Sequence, residues 1–164
     1  MLSVSPVSPF RMEKRRVEAT LTLTTGATVR GSFFLGDTTA TGDGRERVDD
    51  LLNRTVGFFP FERLDSDRRQ VVLYSAAHVA LVALYGDEAR EVPGYEVAPV
   101  RRVSLTMTGG ERIAGEVRAY LPDGRNRVSD WSHDPAVFRY LETGDGTLLV
   151  NIHHVVDIIE LERP

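Results

Sequence analysis

The chain writes one phrase twice. Asp43-Gly44-Arg45-Glu46-Arg47-Val48-Asp49-Asp50 returns as Asp123-Gly124-Arg125-Asn126-Arg127-Val128-Ser129-Asp130, keeping Asp, Gly, both arginines, Val and the final Asp in order. The flanks repeat as well. Leu21-Thr22-Leu23-Thr24 is answered by Leu105-Thr106-Met107-Thr108, and Val29-Arg30-Gly31 by Ile113-Ala114-Gly115. Phe58 and Glu62 match Phe138 and Glu142, Val72-Leu73-Tyr74 matches Leu148-Leu149-Val150, His78-Val79 matches His154-Val155, and Val82 matches Ile158. Strand geometry forces alternation on any half-buried sheet, but it does not force a loop phrase or a His-Val pair to recur. The length differences between copies fall in expected loops, where insertions are tolerated. Internal duplication follows, so whatever folds from half of the 164 residues must be a unit that can be built twice.

Within the first copy, Val17, Ala19, Leu21 and Leu23 alternate with Glu18, Thr20, Thr22 and Thr24, the period of a strand with one wet face. A tight turn at Thr25-Gly26-Ala27 leads to a returning strand over Thr28–Leu35, with Gly31 marking a bend or bulge. After a loop from Gly36 to Gly44, Leu51-Leu52-Asn53 suits a helical turn capped by Asp49 or Asp50. Strands are expected over Val56–Leu64, Gln70–Tyr74 and Val79–Leu84, with a hairpin at Asp65-Ser66-Asp67. The short joint Ser75–His78, and Asn151–His154 after it, suits a single 3₁₀ turn.

Five short strands in about 65 residues bury a core by curling on themselves. The expected fold is therefore all-β, two tandem five-stranded small barrels: an N-terminal arm over 1–13, copy one over 14–84, a linker over 85–99 and copy two over 100–164. Leu21-x-Leu23-x-x-Gly26-x-x-Val29-x-Gly31 and Leu105-x-Met107-x-x-Gly110-x-x-Ile113-x-Gly115 resemble the first motif of the Sm-like family of SH3-like barrels. Val71-Val72-Leu73-Tyr74-Ser75-Ala76-Ala77-His78-Val79 is similar to its second motif. The resemblance implies the fold. It carries over no RNA-binding residue, because Tyr74 is followed by Ser75-Ala76 and not by the family's lysine-histidine pair.

Composition narrows the function. An apolar fraction of 41% with 27% charged residues is that of a folded soluble domain. No cysteine means no disulfide, thiol catalysis or thiolate metal site, which suits a reducing, cytoplasmic location. The first residues have neither a basic start nor a sustained apolar run, and no stretch is long and apolar enough for a membrane helix. A net charge of −4 disfavours nucleic acid as a partner, since phosphate binding needs a basic surplus.

Four arginines, Arg45, Arg47, Arg125 and Arg127, are the candidate anion or RNA site, because guanidinium forks suit phosphate and carboxylate groups. The competing reading pairs them with Asp49, Asp50 and Asp130 and makes the phrase a loop clasp. Phe58, Phe59, Phe61, Trp131, Phe138 and Tyr140 suit a base-stacking platform or, better, a core or interface. Four histidines in scattered pairs are too few for a metal site, and His78 and His154 at matched joints suit structural hydrogen bonds. No nucleophile-base set, P-loop or dinucleotide fingerprint occurs, so catalytic residues, cofactor and metal are all expected to be none. The sequence points to a non-enzymatic binding or assembly module. It would associate with itself or another protein through strand edges and aromatic faces, with RNA or nucleotide binding by the arginine loops as the alternative.

Overall fold

Alternation along the first strand is realised as burial: Ala19 and Leu21 are fully enclosed while Thr20 and Thr22 beside them keep contact with solvent. A computed structural model describes residues 14–37, 44–120 and 127–162. Its first half runs β1 (Lys14–Leu23), β2 (Thr28–Gly36), α1 (Val48–Arg54), β3 (Phe58–Asp65), β4 (Arg68–Ser75), a 3₁₀ turn (Ala76–His78) and β5 (Val79–Leu84). The second half gives the same order: β6 (Val100–Met107), β7 (Arg112–Arg118), α2 (Val128–Ser132), β8 (Phe138–Thr143), β9 (Gly146–Asn151), a 3₁₀ turn (Ile152–His154) and β10 (Val155–Glu160). The arm over 1–13 lies outside the described residues.

The protein is all-β and antiparallel. Its strands form one ten-stranded open sheet in the order β10-β6-β7-β8-β9-β5-β1-β2-β3-β4. Strand pairing does not divide the chain into two closed barrels. Each half has the same internal order, and β5 of the first pairs with β9 of the second, so the sheet continues across the boundary. The reason is physical: an open sheet leaves two unpaired edges per half, and joining one from each satisfies backbone groups that would otherwise face water.

The same close approach bends both halves. A Cβ on Gly31 would lie 2.1 Å from the Glu62 carbonyl oxygen, and one on Gly115 2.6 Å from that of Glu142. Only glycine lets the second strand of each half pass so near the third. The two 3₁₀ joints are also held alike, Ala76 N–H donating to Gly57 O at 2.9 Å and Ile152 N–H to Val137 O at 2.8 Å.

Two clusters make the core, and each borrows from the other half. Phe33, Phe59 and Phe61 pack with Leu21, Leu35, Val48 and Leu52, and this group takes in Phe138 and Leu149 of the second half. Val103, Leu105, Val117, Trp131 and Leu141 form the second group and take in Leu81 of the first. The segment expected as a linker is packed too. It holds a 3₁₀ turn (Glu88–Glu91), with Ala89 and Tyr95 buried.

Candidate interaction edges and the seam between the halves

The repeated arginine phrase opens each short helix. Arg47 stands just before α1, where its backbone N–H donates to Asp50 Oδ2 at 2.8 Å. Its guanidinium reaches Asp49 Oδ1 at 3.1 Å through Nε and Asp50 Oδ1 at 3.4 Å through Nη2. Burial would lower Arg47, but the two carboxylates outweigh it and hold the group above its ordinary value. Arg127 repeats the backbone part before α2, donating to Asp130 Oδ2 at 3.1 Å. Asp50 and Asp130 therefore cap from inside the first turn, whereas the sequence suggests Asp49 or Asp50 as a cap before it in the first copy. Arg45 is exposed, and Arg125 lies outside the described residues.

Next to Arg47 the two halves and the segment between them meet on one hydroxyl. Tyr140 Oη on β8 lies 2.8 Å from Asp49 Oδ1 on α1 and 2.7 Å from Glu88 Oε1 in the connecting turn. Glu88 Oε1 also accepts from Val48 N–H at 2.7 Å. Burial pushes both carboxyls above their usual range. A phenol has one proton and cannot donate to two carboxylates at once. A protonated carboxyl donating to the phenol oxygen, with the phenol donating to the other carboxylate, satisfies all three groups.

A cavity of about 130 Å³ opens beside this cluster, lined in part by Asp49, Tyr95, Arg118, Trp131, Tyr140 and Glu142. Several of its polar groups are engaged with one another. Tyr95 Oη donates to Glu142, while the Arg118 guanidinium lies 3.6 Å over the Tyr95 ring and donates to Glu142 Oε2 at 3.3 Å. The buried Arg139 donates to the carbonyls of Trp131, Asp134 and Ala136. Among the described residues no group of three histidines or carboxylates has metal-binding geometry.

Two asparagines complete the seam. Asn53 takes the place of a strand neighbour for Phe138, donating to its carbonyl at 3.0 Å and accepting from its N–H at 2.8 Å. Asn151 is almost fully buried and donates to Val79 O at 2.9 Å. His154 bonds Ala77 O across the same seam at 2.8 Å, and His78 meets Thr24 Oγ1 at 3.2 Å, so both histidines act at their joints. Sequence reasoning missed Glu88, Tyr140 and both asparagines as a group. The available signal was Tyr140, a polar ring in a strand where the first half has Pro60.

The outer edges are the other candidate surface. Of the six aromatic residues singled out in the sequence, Phe59, Phe61, Trp131 and Phe138 are buried. Phe33 packs its ring edge against Phe61 at 5.0 Å between centroids. Phe58 projects to solvent, with Val71 and Leu73 of the edge strand β4. At the opposite edge β10 exposes Val156 and Ile159. No family model, curated protein or solved structure matches this chain.

Proposed function

We propose that the chain is a non-enzymatic assembly and protein-binding module of two duplicated Sm-like, SH3-like units, acting in the cytoplasm through the open edges of its sheet. The observation that carries this reading is the pair of edge strands, β4 and β10, which have no outer strand neighbour among the described residues and each bear large exposed apolar side chains. Exposed strand edges of this kind are templates for sheet extension by another chain. The recurring element order and the shared glycine crossings support duplication. RNA or nucleotide binding through the arginine loops has less support, because Asp49 and Asp50 already hold the Arg47 guanidinium.

Sedimentation velocity over a hundredfold range of concentration tests the reading. Association that grows with concentration, or a captured partner whose binding is lost when Leu73 is made Asp, is the expected result. A monomer throughout with no such partner would sink it.

A further inference from the structure

The junction inside the chain is a template for a contact between chains. There, β5 pairs antiparallel with β9, with Val82 opposite Leu149 and Ala83 opposite Leu148. Phe138, at the start of β8, and Leu149 enter the first half's core beside Val48, Leu52, Ala76, Val79 and Val82, leaving them 2% and 0% exposed.

Both sides of that joint exist a second time, unjoined. Phe58 opens β3 as Phe138 opens β8, and each is paired with the last residue of the following strand, Ser75 or Asn151. Leu73 sits opposite Pro60 as Leu149 sits opposite Tyr140. Yet Phe58 and Leu73 are 65% and 64% exposed. At the other end of the molecule, an open groove of about 390 Å³ runs between α2 and β10, lined by Val128, Ser132, Ile152, Val155 and Ile158 among others. In the recurring element order these five stand where Val48, Leu52, Ala76, Val79 and Val82 receive Phe138 and Leu149.

Resting on the assembly reading above, we infer that the partner is a second copy of this chain, joined head to tail. β4 of one copy pairs antiparallel with β10 of the next, and Phe58 and Leu73 enter the groove between α2 and β10. The internal register carries over to Leu73 opposite Ile158, Val72 opposite Ile159 and Val71 opposite Glu160. Charge agrees with this direction. The antiparallel fit brings Arg68 and Arg69 at the start of β4 toward Glu160, the last residue of β10, and Glu162 just beyond it. In that register Arg69 is a diagonal neighbour of Glu160, within reach of a long side chain. Each copy offers one projecting edge and one receiving edge, so the contact is heterologous and unlike faces meet.

The chain has no cysteine, so introduced thiols report the register without background. Val72→Cys and Ile159→Cys proteins are mixed and oxidised, since strand neighbours lie at disulfide distance. The expected product is the mixed 72–159 disulfide in excess over either homodimer. Leu73→Asp combined with Phe58→Ser should weaken self-association about tenfold or more and abolish that product. Both side chains are exposed, so circular dichroism and melting should stay unchanged. Association that persists while only 72–72 or 159–159 disulfides form overturns the head-to-tail contact and leaves the assembly reading standing. A monomer at every concentration, with no mixed disulfide, removes both.

Discussion

Tyr140 is a single hydroxyl shared by Asp49 and Glu88, and the proton count at this point sets a pH dependence. Both carboxyls titrate above their ordinary range because they are buried. Arg47, Arg15 and Val48 N–H favour the charged forms while Asp50 repels Asp49, and the favourable contacts do not cancel the cost of burial. A raised folded value means that the native chain holds a proton the unfolded chain releases. The stabilisation is complete below the ordinary carboxylate range, about pH 4, and is lost as pH rises through the raised values. Glu88→Gln removes one of the two titrating carboxyls: its carbonyl oxygen, in the place of Oε1, still accepts from Val48 N–H, and Asp49 alone is left to exchange a proton with this cluster. Urea unfolding between about pH 4 and pH 7 should therefore show a flatter stability profile for the variant than for the parent. Parallel profiles would show that the shared proton is not there. Gly31 poses a steric question at the same scale. Alanine there would put its Cβ 2.1 Å from a backbone oxygen, which cannot move without shifting β3. A loss of about 3 kcal/mol or more in chemical unfolding is expected for Gly31→Ala. A loss under about 1 kcal/mol would show that the crossing is looser than the described geometry.

At the scale of elements, the strands were the legible part. Period-two alternation located β1, the tight turn after it placed β2, and Val79–Leu84 is the extent of β5 as expected. The 3₁₀ joints were legible because three residues between two strands leave room for little else. The helix was read short: Val48 belongs to α1 and is fully buried, because Arg47 and Asp50 together form its first turn. The packing of the connecting segment was not legible for a different reason. Gly, Pro and charge mark a linker but say nothing of the burial of Ala89 and Tyr95, and Tyr95 reaches Glu142, 47 residues on. Of the candidate site, Arg47 and its acids were legible because they are two and three residues apart. Tyr140 lies 91 residues from Asp49, and no local pattern reports such a pair.

For the whole molecule, the decisive feature is that each core cluster contains side chains of the other half. Phe138 and Leu149 complete the first cluster, and the pairing of β5 with β9 closes the sheet between them. Burying a large apolar side chain contributes about 1.5–3 kcal/mol, so neither half is complete alone. Calorimetry should show one cooperative transition, with calorimetric and van't Hoff enthalpies equal. Two resolved transitions would mean that the halves are independent barrels after all. The sequence alone determined an all-β chain with a twice-written strand order, because alternation, glycine crossings and short joints act over a few residues. Only the tertiary structure decided that the two units share one open sheet, where the seam lies and which edges are left over. Those outcomes depend on which backbone edges meet and which distant side chains fill them, and a residue pattern carries no record of its partner across the sheet.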